Sequence, residues 1–430
     1  MRSAAERAGS IDTSFGGLGY VHATRGGGGA LDLAAIRPVG GKILVGGVTY
    51  SKLGGGDIAA LRYLEDGAAD LAFNATGSAY YDSCHCANFS GEVHGIDQRS
   101  DGTVLVVGST AAKIPGRQRS NDLLVLRYKD DGTLGRAPGD TGIDLIDLGG
   151  SEEVGAAAFR AGEPSVFVAG ERDGELFVAK VQVLARESHL DTQGFAAPRG
   201  WAATGIRADR GAIAMALDAA GRVLLAGWRK TDGNPDLVVA RVLTSGKLDE
   251  RFGARGLFGV AHGSTDESSG AALTVLPDGR LLVATDSVEA GVRRLLLVRL
   301  LPEGVLDPTF GDGGSARAPL GSTSLELASA ITLSRMRDGR ILVGANGKLA
   351  DVEGPVIARF LPDGSLDPTF GTGGEATFVV KQGPDWKPSR HAGEETTLHA
   401  LALTPDERRL LVSGSWSAYP FKGYVARLWN

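Results

Sequence analysis

Two cysteines flank a histidine in the segment SCHC, residues 83–86, the one cluster in the chain with the residue types of a metal or thiol site. In an extended segment Cys84 and Cys86 point one way and His85 the other, which argues against one ion held by all three. No second cysteine pair exists to complete a zinc tetrahedron. The segment therefore reads as a local disulfide or as free thiols, and no metal or other cofactor is expected. The run GGGGAL, residues 26–31, lacks the Lys-Ser/Thr pair and the strand–helix setting of a phosphate loop, and reads as a blade linker. KIPGRQR, residues 113–119, reads as a solvated basic loop, with anion binding as the alternative. STDESSG, residues 264–270, offers oxygens to Ca2+ but lacks the alternating Asp/Asn ligand spacing of a calcium loop. Nucleophile elbows, HExxH motifs and paired catalytic carboxylates are absent from the sequence. Catalysis would need two titratable side chains brought together by the fold, such as His94 with His262 or Asp266.

The elements that would position these residues are set by a repeat. Seven short apolar runs recur: GKILVGG ending at Gly47, GTVLVVG at Gly108, PSVFVAG at Gly170, GRVLLAG at Gly227, GRLLVAT at Thr285, GRILVGA at Ala345 and RRLLVSG at Gly414. The intervals are 61, 62, 57, 58, 60 and 69 residues. Self-similarity at such a period marks a solenoid, propeller or array. The 64 glycines and the low aromatic content of 6% suit many short strands joined by tight turns. Each unit resolves into four strands, with an Asp-Gly hairpin turn such as Asp278-Gly279 between the first two. The apolar runs are nearly continuous rather than alternating, so most strands are expected to be buried on both faces, as in a blade sandwiched between neighbours.

The ends decide between a ring and an open array. Residues 10–23, SIDTSFGGLGYVHA, are the second half of a unit, and residues 422–430, KGYVARLWN, are a third strand without its continuation. Joined, they make one complete unit, whereas an open array would need polar capping repeats. The expectation is an all-β, seven-bladed propeller of four-stranded antiparallel blades over residues 10–430, closed by the N-terminal strand pairing in the last blade. Residues 1–9 are expected to be a disordered tail. Closure removes the sheet edges, and a monomer is expected.

The stretch ARFLPDGSLDPTFGTGG, residues 358–374, and the run GKILVGG carry a resemblance to the delta-60 repeat family of bacterial β-propellers. The resemblance extends from about Ile11 to Asn430. The motif is sharp around Asp249, Asp307 and Asp367, worn at Leu134-Gly135, and stretched in residues 188–195, SHLDTQGF. It implies a propeller fold and a secreted or surface-associated protein, outside the cytoplasm or in the periplasm, and it implies no chemistry. The first ten residues are polar and lack the apolar core of a secretory signal. A cytoplasmic protein, or one whose leader has been removed, fits that observation.

An Arg ends the third strand eight residues before an Asp in four copies: Arg62 and Asp70, Arg241 and Asp249, Arg299 and Asp307, Arg359 and Asp367. The fixed spacing predicts a structural pair across a turn, with Arg chosen for its forked donors. Arg427 and Asp12 are expected to form the same pair across the ring closure. The loops that could hold a site are those after the second strand and between blades, since these are long and differ in every unit. Trp201, Trp228, Trp386 and Trp416 are assigned there, with Tyr50, Tyr80, Tyr81, His94, His262, Arg229, Arg390, His391 and Tyr419 as candidate binding residues. Exposed aromatic and Arg side chains are enriched where proteins bind. The bland alternative is that each tryptophan covers its own loop as a small satellite core. The net charge of −6 gives no footprint for nucleic acid, and no apolar run is long enough for a membrane span. The expected function is non-catalytic binding of a protein, peptide or glycan on the variable face and funnel, the alternative being a propeller hydrolase or lyase.

Overall fold

In the computed structural model the described residues are 7–23, 30–50, 55–82, 89–112, 120–135, 140–150, 152–207, 210–231, 234–261, 270–289, 292–320, 330–349, 352–381, 396–416 and 422–430. They form seven four-stranded antiparallel blades around one axis. Blade one is Ala30–Val39, Lys42–Tyr50, Ile58–Leu64 and Ser78–Tyr81. Blade two is Glu92–Gln98, Val104–Ala112, Ser120–Tyr128 and Ile143–Ile146. Blade three is Glu152–Phe159, Ser165–Arg172, Glu175–Val183 and Trp201–Arg207, with the short strand Ser188–Leu190 sharing the outer edge. Blade four is Arg210–Leu217, Val223–Thr231, Asn234–Val242 and Leu257–Ala261. Blade five is Ala272–Val275, Leu281–Glu289, Val292–Leu300 and Ser315–Pro319, and blade six is Ile331–Arg335, Ile341–Leu349, Val352–Phe360 and Glu375–Thr377. Blade seven takes Thr396–Leu403, Arg409–Trp416 and Lys422–Trp429 from the C-terminal end, and Tyr20–Ala23 from the N-terminal end as its outer strand. No helix among the described residues is long and apolar enough to cross a membrane.

The first strands lie against one another around the axis and the core is divided between the blades. Seven apolar clusters each draw on two neighbouring sheets; one joins Leu44, Ile58 and Phe73 of blade one to Val93, Val106 and Leu126 of blade two. Another joins Phe15, Val425 and Leu411 of blade seven to Leu33, Val45 and Tyr63 of blade one. A sheet covered on both faces has no solvent side, which is why its strands read as unbroken Val/Leu/Ala runs.

One corner, repeated at six of the seven seams, holds neighbouring blades in register. The Arg299 guanidinium donates to Asp307 at 2.8 Å and to Thr309 at 2.9 Å, and lies 4.5 Å over the Phe310 ring. Its remaining fork crosses to blade six and donates to the Pro362 carbonyl at 2.8 Å. Arg241 pairs with Asp249 at 2.9 Å and crosses to the Pro302 carbonyl. Arg359 pairs with Asp367 at 2.8 Å and crosses to the side chain of Asn430 at 3.1 Å. Arg62 pairs with Asp70 and crosses to Asp130, both at 2.6 Å. Arg427 donates to Asp12 at 2.9 Å and crosses to the Glu65 carbonyl of blade one.

The worn copy of blade two keeps the crossing with shifted residues, and that of blade three keeps the pairing to an Asp. Arg127 of blade two is held by Asp140 at 2.8 Å and Asp144 at 3.0 Å, and crosses to the carbonyls of Ala185 and Arg186. In blade three Lys180 and Gln182 share Asp191 at 3.1 and 2.9 Å in place of an Arg. Four of the crossings also seat a phenylalanine on the next blade's turn glycine; a Cβ on Gly304 would stand 2.7 Å from the Phe252 ring. The glycine of the Glu303-Gly304 turn is thus demanded by close approach as well as by its φ of 80°.

The two chain ends rebuild this turn for the last blade without a covalent link. Trp429 N–H donates to Ser10, Gly9 N–H to Trp429, and Gly371 N–H of blade six to the Ala8 carbonyl. Leu361 and Ser365, then Gly364 and Leu361, make the same pair of bonds inside the continuous turn of blade six. Residues 7–9 are therefore tied to the ring, where the sequence suggested a disordered tail; residues 1–6 lie outside the described residues.

A second rule explains the glycine that closes each LVGG-like run. At Gly47, Gly108, Gly170, Gly227 and Gly414 the first strand carries a β-bulge in the ladder opposite. The bulge presses a first-strand carbonyl onto the glycine: a Cβ on Gly108 would meet the Glu92 oxygen at 1.8 Å. Where the run ends instead in Ala345, the first strand pairs through it with no register shift, Ile331 opposite Ala345.

Gly108→Ala is expected to cost about 1–3 kcal/mol through overpacking against that carbonyl. Gly259→Ala, where an added Cβ meets nothing within 4 Å, stays within about 0.5 kcal/mol of wild type in urea unfolding. Asp307→Asn is expected to cost about 3–5 kcal/mol, since it strands the buried Arg299. Burial alone would raise the Asp307 carboxyl, but bonds from Thr309 and Arg280 and the charge of Arg299 outweigh it and hold it well below its ordinary value. The same balance depresses Asp12, Asp70 and Asp367. Their stabilisation is complete above the ordinary carboxylate range and lost as pH falls through the depressed values, so an acid titration of thermal stability should fall there and flatten in Asp307→Asn.

Candidate functional site

The bulges that require those glycines also decide which side chains reach the channel. A bulge leaves one residue out of the ladder and re-aims it. In blades one, two, three, four and seven that residue is Ala34, His94, Gly155, Ile213 and His399. All lie near the start of a first strand, at the end of the channel that faces the variable loops. Two imidazoles therefore stand at equivalent places on blades two and seven, with blade one between them.

Each has a carboxylate neighbour. His399 Nε2 lies 3.3 Å from Asp32 Oδ1 of blade one, 3.1 Å from Thr397 Oγ1 and 3.1 Å from Ser415 Oγ. His94 Nε2 lies 3.4 Å from Glu92, whose carboxyl is held below its ordinary value by that contact against the opposing effect of burial. Both imidazoles are partly exposed. The mouth thus offers a polar arc of donors and acceptors on three consecutive blades.

Serine, histidine and aspartate meet here, yet not as a catalytic relay. Ser415 and Asp32 approach the same nitrogen of His399, whereas a relay needs the carboxylate on the opposite nitrogen from the nucleophile. Ser415 Oγ is moreover bonded to Thr397 Oγ1 at 2.8 Å. The arrangement suits hydrogen bonding to a polar ligand.

The aromatic residues are placed differently from the sequence expectation. Trp228 lies inside the second strand of blade four and is 3% exposed, packed among Leu237, Val239 and Leu296. Trp416 ends the second strand of blade seven with no exposed surface, beside His22 at 5.4 Å between ring centroids. Neither is a loop residue presented to solvent: the apolar run of each second strand extends through them and the neighbouring sheet covers them. Trp201 opens the fourth strand of blade three on the outer rim, half-buried, with Arg172 at 4.8 Å and Arg199 at 5.7 Å from its ring. Tyr80 and Tyr81 are half-buried in the outer strand of blade one, and burial followed by the charge of Asp82 pushes the Tyr81 hydroxyl up. Tyr50 ends a second strand, and Arg229 follows Trp228 half-buried. Trp386, His262, Asp266, Arg390, His391 and Tyr419 lie outside the described residues, as do Cys84, Cys86 and the basic and acidic loops at 113–119 and 264–269.

Sequence reasoning singled out His94 but missed His399, Asp32 and Ser415. The signal was present: the two histidines precede the closing glycines Gly108 and Gly414 by 14 and 15 residues. A cavity of about 940 Å³ opens between blades seven and one on the opposite face, beside Arg409, Arg427 and Trp429. Its cations already serve the ring closure, since both arginines donate to Asp12. The other end of the channel is likewise lined by paired charges, Arg37 with Asp97 and Arg160 with Glu163, each at 3.1 Å.

Four segments, residues 41–73, 221–252, 276–310 and 337–370, match the family model described as a domain of unknown function (DUF5122) beta-propeller. Four stretches of the chain are thus similar to repeats of that β-propeller family. No curated protein matches the sequence. Among solved structures, the chain is similar to the WD40 domain of coronin from Toxoplasma gondii, with 13% identity over 96% of this chain and 86% of that one, at a TM-score of 0.46. It is also similar to the polysaccharide lyase Uly1, with 10% identity over 92% and 89% of the two chains at a TM-score of 0.47. Drosophila Plexin A, solved in complex with Semaphorin 1b, shares 9% identity over 93% and 86% at a TM-score of 0.40. Likeness at this level carries no argument about function.

Trp416→Ala is expected to cost about 3–5 kcal/mol in denaturant unfolding, the penalty of emptying a filled core site. Trp201→Ala, on the rim, is expected to cost markedly less in the same measurement.

Proposed function

We propose that this chain is a non-catalytic binding propeller of the delta-60 kind, which takes a protein, peptide or glycan partner at the variable face with the channel mouth as its polar centre. The observation that carries this reading is the pair of bulge-borne imidazoles, His94 and His399, set at one height with Glu92, Asp32 and Ser415 around them. A fold that needed only stability would not need histidines at these re-aimed positions. Trp201, Tyr80 and Tyr81 supply aromatic surface on the rim. The repeat resemblance favours action at the cell surface or outside the cytoplasm of a bacterium, and the reading involves no nucleic acid.

The second reading, a hydrolase or lyase at the same mouth, is favoured by one observation, the contact of Ser415 and Asp32 with His399. It would need the His399 ring to turn so that its two nitrogens face the two partners separately.

The test uses the purified chain on glycan and peptide arrays, with the double variant His94→Ala, His399→Ala as comparison. The binding reading expects retained ligand that is recovered unmodified, and a loss of about tenfold or more in affinity in the variant, the scale of one to two polar contacts. Binding indifferent to both histidines overturns the site. A bound glycan or peptide returned cleaved, with cleavage lost in Ser415→Ala, overturns the non-catalytic assignment in favour of the second reading.

A further inference from the structure

The seam between blades two and three carries a group of acids that the proposed mouth does not use. Asp122 lies near the start of the third strand of blade two, Glu152 opens the first strand of blade three, and Asp147 sits on the connection between them. One carboxylate oxygen from each lies within 4.8 Å of the other two. Asp122 and Glu152 are wholly buried and Asp147 is half-buried.

Glu152 is the telling member. Its Oε1 accepts the Gly150 N–H at 2.8 Å, while its Oε2 is buried with no hydrogen-bond partner. Arg172 stands 3.6 Å from Oε1, too far for a hydrogen bond. That guanidinium is engaged elsewhere: it donates to the Gly149 carbonyl at 2.7 Å and stacks on Trp201. Burial pushes the Glu152 carboxyl up, and the Asp122 charge adds to the rise against the opposing Gly150 bond. A buried acceptor left unserved is costly, and such atoms call for an explanation.

We propose that Asp122, Asp147 and Glu152 are ligands of a divalent cation of the calcium class that ties blade two to blade three. The donors are oxygens only, without imidazole or thiolate, which suits a hard cation rather than zinc or copper. Three carboxylates drawn from a strand end, a connection and a strand start close a loop around the ion, and the half-buried Asp147 leaves a side open to water ligands. Glu153, the next residue, is exposed near the start of the first strand, so the ion would stiffen blade three at that end.

The experiment uses the whole chain after chelator treatment. Calcium titration by calorimetry and thermal unfolding is expected to show one saturable site and a melting temperature that climbs with calcium. Terbium in place of calcium is expected to luminesce through Trp201, with emission displaced by calcium and strongly reduced in Trp201→Phe. Glu152→Gln is expected to weaken calcium binding about tenfold or more, while the metal-free variant is at least as stable as the metal-free parent, because a desolvated carboxylate has been removed. Asp147→Asn, on the open side, is expected to weaken binding with the fold intact. Absence of heat and of any melting shift at millimolar calcium overturns the proposal. So does calcium binding that is unchanged in both Glu152→Gln and Asp147→Asn.

Discussion

The structure depends on a guanidinium that is shared between two blades. Each corner Arg satisfies an Asp in its own sheet and an acceptor in the next, and in five of the six its flat face covers a phenylalanine. Sheets packed face to face by apolar side chains are free to slide, because hydrophobic contact is non-directional. The crossing bonds remove that freedom by tying a fixed point of one blade to a fixed point of the next. Closure uses the same device: Arg427 meets Asp12 from the far end of the chain, and residues 8–12 with 428–430 reproduce a turn that is covalent in the other sharp repeats. Ring closure is thus an ordinary seam, made of the same contacts as the rest.

The architecture was legible because its causes are local and repeated. A period near sixty residues, continuous apolar runs and two half-units at the ends are sufficient for seven closed blades. The Arg–Asp spacing is a turn length, so the pairs Arg241–Asp249, Arg299–Asp307 and Arg359–Asp367 could be read directly. What spacing could not convey is the second half of each Arg's role, since Pro302, Pro362 and Asn430 are some sixty or more residues away.

The site was less legible, for physical reasons that differ by residue. Tryptophan near the end of an apolar strand is ambiguous in sequence: Trp228 and Trp416 look like loop residues when the strand is ended four and two residues early, respectively. His399 is invisible as a partner of Asp32 because the two lie on first strands of the first and last blades, which only ring closure brings together. The glycine ending each LVGG-like run reads as turn chemistry, but its cause is a bulge in the strand opposite. That bulge links fold to function, since the same distortion that excludes a Cβ at Gly108 or Gly414 leaves His94 or His399 out of the ladder.

The account separates a frame of repeated corners from a mouth of unrepeated side chains, and treats the split seam as equal to the continuous ones. Native-state amide hydrogen exchange tests this most directly, because the amides of Asp12, Asp70, Asp249, Asp307 and Asp367 each donate to a corner backbone carbonyl of the paired Arg. The account predicts that the Asp12 amide exchanges only with global unfolding, at the rate of the other four. Exchange of Asp12 through a separate, lower-energy opening of blade seven, with the other corners still protected, would contradict it.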